Sequence, residues 1–142
     1  KDERSRRRSI YFTIKRSELI GSMVAFDQPE PLVSQGARPT TTVAPQALLL
    51  LNGPQVREWA EAFAKRVEAD VKADRAFAPL VARAYAFALG RAPTNDEARD
   101  AAAFLNAQAQ SYAVEGKQPA QSLALADFCQ VMFGLNEFAY EN

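Results

Sequence analysis

Apolar residues recur at helical spacing along most of the chain after residue 42. Between Val56 and Val67 they fall at i, i+3, i+4, i+7, i+8 and i+11, which predicts one apolar stripe on an amphipathic helix. The other face of this segment carries Arg57, Glu61 and Lys65 at spacings of four, and we expect solvated pairs there. The stripe consists of Val56, Trp59, Ala60, Phe63, Ala64 and Val67.

A shorter helix is predicted just before this stripe. Thr42 can cap its first turn, Pro45 is tolerated there, and Asn52 with Gly53 supplies the stop after Leu51. The four leucines at 48–51 make the helix apolar all round, so we expect it to be buried on several sides. The run is far shorter than the roughly 20 apolar residues of a membrane span.

Three more helices follow from local start and stop signals. A helix over about 77–89 ends at Gly90, which can adopt the conformation of a C-terminal cap. Thr94 and Glu97 have the spacing of a capping box and begin the next helix, which runs towards Ala113. A last helix covers about 119–133. We expect these helices to bury Leu80, Val81, Ala84, Tyr85, Ala98, Ala102, Leu105, Ala109, Leu125, Phe128, Cys129 and Met132.

The first 42 residues differ from the rest of the chain in composition and in the spacing of their apolar residues. β-branched and aromatic residues at 10–14 predict a strand-like run, and prolines and a glycine interrupt the segment that follows. We therefore predict a mainly α fold: about five helices in a compact bundle over 43–142, preceded by a short extended, partly strand-like arm over 1–42. The 142 residues suit a single domain. The opening lacks both a methionine and an apolar signal segment, so we expect a fragment of a longer protein.

Composition narrows the chemistry that this chain can perform. Lysine plus arginine equals aspartate plus glutamate at 17 each, so no global field draws in nucleic acid or anionic membrane. The chain has no histidine and one cysteine, Cys129, which excludes zinc, haem and Cys–His chemistry within it. A carboxylate site for Mg²⁺ or Ca²⁺ remains open in principle. We expect no cofactor, and we interpret Cys129 as a small buried apolar residue.

Positive charge is concentrated in the arm. Arginines at 4 and 6–8 are followed by Lys15 and Arg16, with aromatic residues between them, which is a candidate nucleic-acid patch. The balanced charge of the whole chain disfavours that reading, because charge runs are usually solvated or contact other proteins. Arg8 and Arg16 are therefore candidate binding or clasp residues.

A second group of candidates surrounds the proline-rich segment. Asp27 and Glu30 can serve as an acid–base pair, although nothing supplies a nucleophile beside them. We favour an ion pair from one of them to Arg16 or Arg38, which would fix the arm. Thr41 lies in a threonine run that can form an anion site at a helix N-terminus, but plain N-capping explains it more simply. Gln46, in the same helix, is a further candidate.

Arg91 is the candidate with the clearest local reason. It follows Gly90, where the last carbonyl groups of the preceding helix need donors. It can also reach a carboxylate such as Glu137 in the closing Asn-Glu-Phe segment. We interpret Arg91 and Glu137 as a structural clasp.

Five segments in this order resemble a known family. They are RRSIYFTIKRS, FDQPEP, RPTTTVAPQALLLLN, AYAFALGRAPTNDE and LADFCQVMFGLNEF. Over essentially the whole chain they resemble the C-terminal domain of unknown function of large secreted proteins of planctomycetes and related bacteria. That domain is longer, so the chain would be its C-terminal half. Residues 85–138 are also similar to small helical modules of secreted bacterial proteins.

The resemblance implies a periplasmic or secreted location and a multidomain parent, often with a cytochrome-c-like module elsewhere. It implies an architectural role and carries over no catalytic residues. We therefore predict a non-catalytic structural or interaction module that packs against the upstream domain of the same polypeptide. An enzyme is disfavoured, since no nucleophile–base pair is present. The alternative is half of a catalytic or glycan-binding cleft, completed by the upstream domain and taking polysaccharide. Nucleic acid and membrane insertion are not expected.

Overall fold

The structure is a computed structural model, and it describes residues 9–13, 15, 21–26, 36, 44–71 and 76–139. The chain divides into two compact units, residues 1–55 and 56–142. The predicted mainly α fold is confirmed. The described helices are α1 (Gly21–Ala25), α2 (Ala44–Asn52), α3 (Pro54–Val71), α4 (Phe77–Leu89), α5 (Asn95–Val114), α6 (Ala120–Phe133) and α7 (Asn136–Ala139).

The described part of the predicted strand-like run begins with a helical turn. Ser9–Tyr11 forms a 3₁₀ turn, and the described ranges contain no strand; Ile14 lies outside them. Ile10 is 83% exposed and Tyr11 70% exposed. Because strand propensity reflects packing on a half-buried pleated surface, side chains this exposed gain little from a strand.

The leucine-rich helix α2 is less buried than its composition suggests. It lies against α1 within the first unit, and the Gly53 N–H donates to the Leu49 carbonyl at 2.8 Å to close its last turn. Leu48 and Leu51 are each at least half exposed, so the expected burial on several sides is wrong for these two. An apolar side chain is a common surface residue and does not by itself show burial.

The second unit has one apolar core, to which α3, α4, α5 and α6 all contribute. α5 lies against both α4 and α6, and Leu105 and Leu125 are fully buried between these helices. Phe63 and Phe133 stack at the edge of this core, with ring centroids 5.7 Å apart. The core consists of Ala60, Ala64, Val67, Leu80, Val81, Ala84, Tyr85, Ala101, Leu105, Ala124, Leu125, Ala126, Phe128, Cys129 and Met132.

Two predicted faces are shifted in the structure. Trp59 was expected in the stripe of α3, but it is 46% exposed. At 100° per residue it lies about 90° from the middle of the buried arc, at the edge of the stripe. In α5 Leu105 is fully buried as expected and the buried small residue is Ala101, whereas Ala98, Ala102 and Ala109 are only partly covered. Phe104 also packs on the core, so the buried face of α5 lies nearer to Ala101 and Leu105 than to Ala98 and Ala102.

The turn between α4 and α5 forms as predicted. Gly90 caps α4 with a φ of 70°, in the left-handed region that glycine adopts without strain. The capping box of α5 is confirmed. The Thr94 Oγ1 accepts from the Glu97 N–H at 3.3 Å, and the Glu97 carboxylate accepts from the Thr94 N–H at 2.7 Å.

Candidate functional site

The structure covers three of the candidate residues. Gln46 is buried in α2, with only 2% of its surface exposed. Arg91 and Glu137 lie together in the second unit. The other candidates lie outside the described residues, and their roles stay predictions; these are Arg8, Arg16, Asp27, Arg38 and Thr41.

Three separate elements bring the Arg91 cluster together. The left-handed turn at Gly90 ends α4 and starts the short loop that carries Arg91. Glu97 is placed by the capping box in the first turn of α5, and Glu137 lies in the first turn of α7. The cluster therefore ties the loop after α4 to the beginnings of two later helices.

The guanidinium of Arg91 forms a bidentate pair of hydrogen bonds, here called a fork, with each of the two carboxylates. Its Nε and Nη2 donate to Glu137 Oε1 and Oε2, both at 2.7 Å. Its Nη1 and Nη2 donate to Glu97 Oε2 and Oε1, both at 2.8 Å. The remaining Nη1 hydrogen reaches the Ala92 carbonyl at 3.1 Å. An arginine has five N–H donors, so all of them are used.

These contacts keep both carboxylates ionised. The hydrogen bonds from Arg91, followed by that from the Thr94 N–H, lower the pKa of Glu97 from 4.5 to about 2. Hydrogen bonding to Arg91 also lowers the pKa of Glu137, and the two carboxylates raise that of Arg91. A carboxylate with so low a pKa is a poor general base at neutral pH, since effective bases titrate near the working pH. The chemistry of this cluster is ion pairing.

A second cluster surrounds Arg57, which was expected on a solvated face. Its Nε pairs with Glu61 at 3.1 Å as predicted, but its Nη1 donates to Asp127 on α6 and lies 3.4 Å from Gln130 Oε1. Tyr112 on α5 donates its hydroxyl to Asp127 Oδ2 at 2.8 Å. Asp127 thus joins three helices through its two oxygens.

The role of Asp127 was missed at the sequence level. One signal was present, because Asp127 is the single charged residue of α6 and interrupts the apolar run from Leu123 to Cys129. A charge in such a place is costly to bury unless it is paired, so it predicts a partner on a neighbouring helix. Arg57 flanks the buried arc of α3, from which its long side chain can extend to α6.

Two further polar pairs connect segments of the second unit. Ser122 donates to Glu68 at 2.6 Å, and Arg83 pairs with Asp70. Within the described ranges, no buried side-chain nitrogen or oxygen lacks a hydrogen-bond partner. Burial, and secondarily the charge of Glu68, raises the pKa of Cys129 to about 12, so its thiol stays protonated and unreactive.

Two kinds of site are not found in the part of the chain that the structure describes. No three acidic or cysteine side chains are grouped in a way that could hold a metal ion there. None of the described helices combines the length and apolar character of a membrane span. The clusters around Arg91 and Arg57 are therefore the notable polar assemblies of the second unit, and both connect helices.

A family model described as PSD1, protein of unknown function (DUF1553), matches residues 1–105. The match covers 105 of the 142 residues. The chain belongs to the DUF1553 family. The resemblance to a domain of unknown function is thereby confirmed. The matched range includes Arg91 and Glu97, whereas α6, α7 and Glu137 lie beyond it, so the likeness expected over 106–142 stays a prediction. Comparisons with curated proteins and with solved structures gave no significant match.

Proposed function

We propose that this DUF1553 chain is a non-catalytic structural and interaction module of a multidomain secreted or periplasmic protein. The supporting observation is the saturation of Arg91, whose five donors all bind within the chain. An arginine that recognises a ligand must offer donors to it. Arg91 instead holds Glu97 and Glu137, which suits a residue that stabilises the fold.

Exposed apolar side chains in the second unit suit the interaction part of this role. Trp59, Val131 and Phe138 are exposed by 46%, 43% and 42%. Aromatic residues at a surface supply large contact areas to protein partners, where they are enriched. The proposed partner is the upstream domain of the same polypeptide. Both this partner and the extracytoplasmic location are suggested by the family resemblance. The arm over 1–42 is the second contact that this proposal assigns to that domain.

Association of the two domains tests this role directly. The upstream domain and this chain would be produced separately and titrated in a calorimeter. We expect saturable binding that weakens in Trp59→Ser. Val114→Ser is the control, because Val114 is an apolar residue of the second unit that is 89% exposed and is not among the residues assigned to the contact. No association at the highest soluble concentrations would contradict the proposal.

A glycan-binding module is the second candidate, and Trp59 is the described residue that favours it. A half-exposed indole can lie flat on a sugar ring, and Trp59 is the single tryptophan of the chain, so its fluorescence reports on binding directly. An oligosaccharide at about 100 times its dissociation constant adds about 2.7 kcal/mol to stability, which a melting curve would show. We expect Trp59→Ala to remove any such shift. A screen without shifts or fluorescence changes would exclude this candidate.

A further inference from the structure

The last described helix, α7, has little stability of its own. It is four residues long and none of its residues is buried. A single helical turn does not persist alone in water, because nucleating a helix costs more free energy than the hydrogen bonds of one turn recover. The position of α7 therefore depends on its contacts with α4 and α6, against which it lies.

Two side chains attach α7 to the rest of the second unit. Glu137 receives the fork from Arg91, with both distances at 2.7 Å. Phe138 lies against Phe133 of α6, with ring centroids 5.0 Å apart. Phe138 remains 42% exposed and the Glu137 side chain 48% exposed. Both attachments can therefore break without opening the core.

The two halves of the Arg91 cluster differ in how firmly they are held. Glu97 belongs to the capping box of α5, and its carboxylate accepts from the Thr94 N–H at 2.7 Å as well as from Arg91. Glu137 has Arg91 as its hydrogen-bond partner and sits on a single turn. If Glu137 leaves, Arg91 still holds Glu97. The carboxylate of Glu137 is thus the detachable half.

We infer that α7 is a latch that opens and closes on Arg91 while the rest of the bundle stays folded. In the closed state the ring of Phe133 has Phe63 at 5.7 Å and Phe138 at 5.0 Å. Opening removes Phe138 and uncovers the Phe133 ring, next to the still packed Phe63. Segments with few buried contacts have the lowest free energies of local opening in a protein, and α7 is such a segment.

Hydrogen exchange of the full chain, read by mass spectrometry on the C-terminal peptide, tests the latch. The amides of Phe138 and Ala139 donate to the Leu135 carbonyl and report on α7. We expect Glu137→Gln to accelerate their exchange several-fold. Glu115→Gln is the matched control, because Glu115 is also 48% exposed and paired, in its case with Lys117. The control should leave exchange at α7 unchanged.

Labelling of Cys129 separates latch opening from unfolding of the bundle. Cys129 is fully buried one turn before Phe133, so a thiol reagent reaches it only when the core opens. We expect Glu137→Gln to leave the labelling rate of Cys129 at the parent value while α7 exchanges faster. Two results would overturn the latch: exchange at α7 that equals that of Glu115→Gln, or exchange that rises in step with Cys129 labelling.

Discussion

The two arginine clusters of the second unit are built from similar side chains but sit in different places. Arg91 lies in a loop and ties the beginnings of α5 and α7, whereas Arg57 lies within α3 and contacts the middle of α6. The two arginine side chains are comparably exposed, at 36% and 30%. Asp127, the main partner of Arg57, is only 19% exposed, while both partners of Arg91 are more open.

This contrast separates two ways in which an ion pair stabilises a fold. Around Asp127 a charge is largely withdrawn from water, so the loss of one partner leaves other polar groups without compensation. Around Arg91 the charges stay near solvent. Their contribution to stability comes from the geometry of the hydrogen bonds, because two forks hold the loop after α4, the start of α5 and the start of α7 together. We therefore expect the stability of the Asp127 cluster to depend on the presence of each partner side chain. The stability of the Arg91 cluster should depend on the planar shape of the guanidinium and on pH.

Deletion of the Asp127 carboxylate has the largest expected effect. Asp127→Ala leaves the Tyr112 hydroxyl and the Arg57 guanidinium without their shared partner in a half-buried place. We expect a loss of about 1–3 kcal/mol in the free energy of unfolding, measured by urea denaturation.

The exposed pair of Asp96 and Arg99 provides the control for this deletion. The Asp96 side chain is 79% exposed, so Asp96→Ala should change stability by less than about 0.5 kcal/mol. Equal losses for the two variants would show that burial does not distinguish the Asp127 cluster.

Acid should weaken the Arg91 cluster over a defined range. The folded pKa of Glu97 is about 2, below its ordinary 4.5, and that of Glu137 is also lowered. A lowered folded pKa means that the unfolded chain binds the proton first as pH falls. The stabilising contribution is therefore complete above about 4.5 and is lost as the pH falls towards 2. Melting temperatures measured from pH 6 to pH 2 should show this decline.

The variant Glu97→Gln isolates the source of the acid effect. It removes the carboxylate whose pKa is lowered to about 2, so the melting temperature of the variant should fall less steeply with acid than that of the parent. Parallel curves for the parent and Glu97→Gln would contradict the assigned role of Glu97.

Replacement of arginine by lysine has the smallest expected effect and compares the clusters directly. Lysine keeps the charge but has three donors on one atom, so it cannot form two planar forks. We expect Arg91→Lys to lower the melting temperature by a few degrees and Arg57→Lys to lower it less, because Arg57 forms no such double fork. The reverse order would show that fork geometry does not decide the stability of the Arg91 cluster.

The parts of the fold that depend on neighbours in the chain could be predicted from the sequence. The ends of α4, the glycine cap and the capping box at Thr94 follow from residues within one or two turns of each other. The stripe of α6 was also predicted, since Leu125, Phe128, Cys129 and Met132 repeat at helical spacing and are all buried. These features need no knowledge of the tertiary fold.

Features that depend on packing between distant segments could be predicted only in part. Arg57 and Asp127 are 70 positions apart, and no local pattern joins them. The exposure of Trp59 depends on how α3 is rotated about its axis against the core. The spacing of apolar residues defines that rotation only to within about one side chain. In the candidate site, the pairing of Arg91 with Glu137 was anticipated, but the second fork to Glu97 was not, because Glu97 had been assigned to capping alone.

A double-mutant cycle at Arg91 and Glu137 tests the central claim, that Arg91 acts by joining α7 to the bundle. Arg91→Ala, Glu137→Ala and the double variant would be unfolded in urea beside the parent. If the two residues act through their mutual fork, the double variant loses less stability than the sum of the single losses. Strictly additive losses, or an Arg91→Ala variant as stable as the parent, would contradict a structural clasp.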